Sequence, residues 1–182
     1  MTTSSSFQDM EQPDLRLQAA RAAGAPGTPE RLRLHRELAE QHPTYTPNLL
    51  ELARQLQLVN EPEQDAQDAF AESERLLKQA VKSSERSAPA LIELGYFLDT
   101  VRDAPGEARK LYEEGAAQAL ETLEDAWAGL LRTWVHERTK ESLEKALRLG
   151  TLAEQLFPDS GRIQGRVHDA RQAALHEGLA IP

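Results

Sequence analysis

The chain reads as an all-α protein built from antiparallel helix pairs, and two observations point there. Its apolar residues recur at helical spacing in stretches of about 12 to 18 residues, separated by short breaks that carry Pro, Ser, Asp or Gly. Its hydrophobic content of 40% includes only two Trp, three Tyr and four Phe. The rest is dominated by Leu and Ala, alongside much Glu, Gln and Arg, a mixture that favours helices over strands. A length of 182 residues suits about one domain with a substantial core.

Residues 1–14 are polar, Ser-rich and aperiodic, so they are expected to form a disordered tail before a single helical domain over 15–182. A short helix over Leu15–Ala23 stops at Gly24-Ala25-Pro26-Gly27. Thr28 then stands as an N-cap ahead of Pro29, with Glu30 in the first turn. The periodicity predicts further helices at 29–41, 46–58, 64–83, 88–101, 105–119, 122–137, 140–156 and 160–177. The breaks include His42-Pro43-Thr44, Asn60-Glu61-Pro62, Ser83-Ser84, Asp103-Ala104-Pro105-Gly106 and Phe157-Pro158-Asp159. Connections no longer than about six residues make neighbouring helices antiparallel.

One pattern recurs along this series. The first helix of each pair carries apolar or small residues at spacings of three, one and three: Leu49, Leu52, Ala53, Leu56; Leu91, Leu94, Gly95, Leu98; Trp127, Leu130, Leu131, Trp134. The second helix carries Ala108, Tyr112 and Gly115, then Ala146, Gly150 and Ala153, mostly small residues where two helices approach. The last pair closes on Leu156-Phe157-Pro158-Asp159, as an earlier helix closes on Gln41-His42-Pro43. The same stripe would line the core of a plain helical bundle, which has no reason to repeat both spacings together.

Over about residues 29 to 177 the chain resembles the tetratricopeptide repeat family, whose pattern runs W-x2-L-G-x2-Y, A-x3-F and a terminal Pro. Leu91-x2-Leu94-Gly95-x2-Leu98 with Ala108-x3-Tyr112-x2-Gly115 matches best, and Trp127-x2-Leu130-Leu131-x2-Trp134 with Ala146, Gly150, Ala153 and Pro158 comes next. The 46–83 pair departs furthest, with Ser73, Leu77 and Ala80 as its second-helix alignment. The family period is about 34 residues, whereas Leu52, Leu94 and Leu130 are spaced more widely. The resemblance implies a short right-handed superhelix of about three degenerate repeats, with N-terminal helices and a polar capping helix carrying Arg162, Arg166, His168 and Arg171.

It also implies a concave groove lined by the first helices of the pairs. The candidate partner-binding residues are Leu50, Arg54 and Gln57; Ile92, Tyr96 and Asp99; and Ala128, Arg132 and Val135. Tyr and Arg are frequent interface anchors, so two arginines around Tyr96 suit a segment with hydrophobic anchors and some acidic character. The Lys and Asn set with which family members clamp a C-terminal carboxylate is missing.

Composition excludes other classes. A net charge of −9 repels a phosphate backbone, and the arginines lie scattered among acids, so neither nucleic acid nor an anionic membrane is an expected partner. The chain has no Cys, and neither a secretory leader nor a long apolar segment is legible, which makes the cytoplasm the expected compartment. The five histidines have no metal-ligand spacing and read as exposed or capping residues; Glu61, Glu63, Asp65, Asp68, Glu72 and Glu74 read as an acidic helix start. Phosphate-cradling loops and nucleophile elbows are absent, so no cofactor, metal or catalysis is expected.

The function expected is an adaptor or regulatory module that holds a peptide or helical segment of another protein. Two alternatives stay open: a dedicated chaperone or immunity-type partner of one client, and a self-assembling homo-oligomer, at which the apolar ending Leu179-Ala180-Ile181-Pro182 hints.

Overall fold

The computed structural model describes residues 12–58 and 65–179. The expected tail up to residue 11, the Asn60-Glu61-Pro62 break and Ala180-Ile181-Pro182 lie outside the described residues. Within them the chain forms α1 (Pro13–Ala22), α2 (Pro29–Gln41), α3 (Thr46–Leu58), α4 (Ala66–Ser83), α5 (Ala88–Thr100), α6 (Pro105–Glu137), α7 (Lys140–Leu156) and α8 (Gly161–His176), with no described strand. The fold is an all-α helical repeat of the tetratricopeptide kind.

Helix starts follow local chemistry. The Asp65 carboxylate accepts the Gln67 N–H at 2.9 Å and opens α4. Thr139 and Ser142 exchange hydrogen bonds in a capping box that opens α7. The Ser160 hydroxyl accepts from Ile163 N–H at 3.1 Å and opens α8. Thr28 does occupy the N-cap position of α2, but its hydroxyl turns back and donates to the Ala25 carbonyl at 2.9 Å, so it tightens the preceding loop instead.

The contacts divide the chain into two compact units, 1–117 and 118–182. In the first, Leu49, Leu52, Ala53 and Leu56 of α3 are at most 1% exposed and pack on Leu76, Leu77 and Ala80 of α4. The Ser73 hydroxyl donates to the Ala53 carbonyl at 3.0 Å, a bond between helices that only a small side chain permits at so close an approach. The pair whose sequence departs furthest from the repeat is therefore tightly built. Leu91, Leu94, Phe97 and Leu98 of α5 continue this core. They meet α6 through small residues: a Cβ on Gly95 would stand 3.1 Å from the Tyr112 ring, and one on Gly115 would stand 3.0 Å from Ile92 Cγ1.

The expected break between 119 and 122 is absent, and 105–137 is one helix. Gln118-Ala119-Leu120-Glu121-Thr122 holds neither Gly nor Pro, and nothing in it stops a helix once started. Residues 116 to 122 are all exposed. The same helix thus supplies the second member of a pair in the first unit and the first member in the second.

In the second unit α7 contributes Leu143, Ala146, Leu147, Gly150 and Ala153, and α8 contributes Ile163, Val167, Ala170 and Ala174. Here the expected α6 stripe needs correction. Leu130 is 42% exposed and both Trp are half-buried, while Ala128 and Leu131 are buried. Leu131 of the predicted stripe is core and both Trp pack against this core, so the core-facing line is only turned from Leu130 toward Ala128 and Val135, by less than the 100° of one residue. Trp127 finds its place at the edge, perpendicular to Phe157 with ring centroids 5.9 Å apart.

Candidate functional site

In the first unit, α3 and α5 border a groove of roughly 620 Å³ that collects Arg54, Gln57, Ile92 and Tyr96. Its apolar lining also includes Leu58, Phe70 and Val101. Ile92 and Tyr96 stand 41% and 55% exposed on α5, because they follow the buried positions Leu91 and Gly95 by one residue. Arg54 is braced across the groove: its guanidinium donates two hydrogen bonds to Glu93, the Nε bond at 3.0 Å, and this holds its pKa above the usual arginine value. Gln57 is engaged as well, donating to the Ala53 carbonyl at 3.0 Å and to Ser73 Oγ at 3.2 Å. Asp99 is exposed and does not line the groove, and Leu50 is only 7% exposed and belongs to the core. Leu50 falls inside because a further layer, α2, packs against the side of α3 that the prediction left open.

The second unit carries the remaining three candidates. Ala128 and Arg132 border a depression of roughly 340 Å³ with Asp125, Gly129, Arg162 and Arg166. Arg132 and Val135 also line the adjoining surface down to Arg138, and Val135 and Arg138 reach a further one with Asp169, Gln172, Leu175 and His176. Ala128 is only 6% exposed and forms the floor. Arg162 is fixed in place by Glu124 at 2.9 Å and by Asp125, and Glu124 also accepts the Ser160 hydroxyl at 2.7 Å. These partners raise the Arg162 pKa, and Ser160 and Arg162 together lower that of Glu124. Periodicity had marked Arg162 and Arg166 as the polar face of a cap, and it gave no sign that they would meet Arg132.

A buried polar network at α2 and α3 escaped sequence reasoning. His35 is fully buried, not exposed or capping, because it falls three residues from both Leu32 and Leu38 on the inner face of α2. Its Nδ1–H donates to Asn48 Oδ1 at 2.7 Å, while Asn48 Nδ2 donates to the His35 carbonyl at 2.9 Å. Nε2 is buried without a hydrogen-bond partner. Burial holds the His35 pKa below its ordinary value, with the Asn48 bond opposing. Nearby, Glu51 accepts from Arg31 and Gln55 at 2.8 and 2.9 Å, and the Gln55 side-chain oxygen accepts the Gly27 N–H at 2.7 Å. This network ties the α1–α2 loop to α3. Two acids of the expected acidic stretch have structural partners: Glu72 pairs with Arg36 at 2.9 Å, and Glu74 with Arg102 at 2.8 Å. Among the described residues, no three His, Asp or Glu side chains are grouped to hold a metal, and no helix is long and apolar enough to cross a membrane.

The Myxococcota tetratricopeptide repeat protein family matches residues 9–85, the part of the chain that contains the tightly packed α3–α4 pair. An uncharacterized 18.1 kDa protein in the carS 3′ region of Myxococcus xanthus is 38% identical over 142 residues, which cover 78% of this chain and 81% of the relative. The chain belongs to the Myxococcota tetratricopeptide repeat family. Repeats of this kind are in general scaffolds for protein interaction rather than catalysts, and a protein-interaction module is what the family indicates here.

Proposed function

We propose that this tetratricopeptide repeat protein acts as an adaptor or regulatory module that holds a peptide or helical segment of a partner, without catalysing a reaction. The observation that carries this reading is the α3–α5 groove, where Ile92 and Tyr96 present apolar surface beside Phe70 and Val101. An isolated exposed hydrophobic residue needs no explanation, but a concave patch that gathers several apolar residues and an exposed Tyr does. The Arg54–Glu93 pair holds the groove rim in one geometry before anything binds, which reduces the ordering cost of association.

Selection from a displayed peptide library on the wild-type chain, followed by binding assays on a Tyr96→Ala variant, tests the reading. Selected peptides should lose roughly tenfold or more in affinity when the ring is removed, as for a moderate hot spot. Circular dichroism should show the fold unchanged, since Tyr96 is more than half exposed. Peptides that bind both chains equally, or a library that yields no binder, would refute it.

A further inference from the structure

The second unit presents a groove whose charge opposes that of the molecule. Arg132 from α6 and Arg162 and Arg166 from α8 border it, and Arg138, just past the end of α6, lines the adjoining surface together with Arg132. In a chain of net charge −9 this is a local reversal of sign. Arg162 is anchored by Glu124 and Asp125, and Arg166 has only Asp169 at 3.6 Å. Arg132 and Arg138 form no salt bridge with any described residue.

Placing basic residues there has a cost. Arg162 and Arg166 lie in the first two turns of α8, where the helix macrodipole is already positive, and α8 has no acid in its first turn. Arg138 sits in the left-handed region at φ 51°, which is uncommon for a side chain of this kind. Gly129 lies mid-helix, and a Cβ there would meet nothing within 4 Å. Packing therefore gives no reason for a residue that weakens a helix interior. Departures from local preference that cluster on one surface indicate a site. The bare backbone at Gly129 lets a ligand main chain approach between the arginines.

We infer that the α6–α8 groove takes an acidic peptide segment of a partner protein, with carboxylates on Arg132 and Arg166 and an apolar side chain toward Val135 and Leu175. The shape favours a peptide over a compact anion. From residue 125 to the end of α6 at 137 the border runs about 18 Å, the span of about five extended residues, and the lining changes along it from guanidinium-rich to a mixed surface whose apolar members are Val135, Ala173 and Leu175. Leu175 is 56% exposed at that end. The whole molecule repels a long polyanion such as nucleic acid, whereas a short acidic segment meets only the local field. This inference rests on the reading of the chain as a protein-interaction module and names the partner's chemistry at a second groove.

Fluorescence anisotropy on the full chain tests it, with a short labelled peptide of alternating Glu and Leu and its twin with Gln in place of Glu. The acidic peptide should bind at least tenfold more tightly than its twin, and added salt should weaken it. Arg132→Glu and Arg166→Glu should each cost roughly tenfold or more, with Arg132→Gln intermediate. Tyr96→Ala should leave this binding unchanged, which separates its failure from failure at the α3–α5 groove. Equal binding of the two peptides, or indifference to the Arg substitutions, overturns the inference. Complete displacement by inorganic phosphate overturns it in favour of a small-anion site. A self-association abolished by Arg132→Glu, without binding of the acidic peptide, overturns it in favour of a contact between copies.

Discussion

Replacing Gly150 by Ala should destabilise the second unit, although the same change in an isolated helix would be favourable. In a helix interior Gly→Ala is worth about 1 kcal/mol of propensity. Opposing it, the new Cβ would stand 3.2 Å from both Cγ atoms of Val167 on α8. Two of the three staggered positions of Val167 face Gly150, so any turn of χ1 leaves at least one methyl in the way, and helices hold Val in one rotamer. Val167 is 2% exposed and has nowhere to go. The helices must part by a few tenths of an ångström, and overpacking of this kind costs about 1–3 kcal/mol. The net loss should be about 1 kcal/mol, or about 4–8 °C in melting temperature for a unit of this size. Both Trp of the chain, Trp127 and Trp134, lie in this unit, so Trp fluorescence during urea or thermal unfolding reports on it selectively. Gly95→Ala provides the control. Its Cβ would meet the ring edge of half-buried Tyr112, which can swing outward, and the Trp signal should not move. A Gly150→Ala protein at least as stable as wild type would show that the α7–α8 contact yields, and the reasoning would fail.

Acid should act on the first unit through His35. Its folded pKa is depressed by burial, so the unfolded chain binds the proton first. Stability is then full above the unfolded value of about 6.5 and falls as pH drops from there toward the folded pKa. Urea midpoints from pH 8 to 5 should show this slope, and His35→Gln should flatten it even while lowering stability throughout; a slope that persists in the variant would assign it elsewhere. Ser142→Ala removes one half of the capping box and the hydroxyl that donates to the Trp134 carbonyl at 2.9 Å. It should cost about 1–2 kcal/mol in the Trp-detected transition, and a loss below a few tenths would mean that the α6–α7 turn holds without it.

The resemblance read from Leu94, Gly95, Ala108 and Gly115 led to the right fold, because helix pairs stack only if small residues recur where backbones approach. The same rule placed Ile92 and Tyr96 outward and Leu91 and Gly95 inward. His35, Asn48 and Gln55 were missed although their spacing puts them on the same faces as Leu32 and Leu52. A polar residue at an apolar position reads as an exception until its partner is visible, and His35 and Asn48 come from different helices. The length of α6 was also hidden, since helix formers at 118–122 are compatible with a turn or with continuation.

The sequence by itself determined the class, the α3–α4 pair and the side of α5 that faces solvent, because each follows from periodicity within a few turns of chain. Tertiary structure alone decided that Leu50 is core, that Arg54 is bound to Glu93, and that Arg132 shares a groove with Arg162 and Arg166. Those residues are between 30 and 39 positions apart in each case of pairing. Local pattern states which face a side chain is on, and only packing decides what stands opposite.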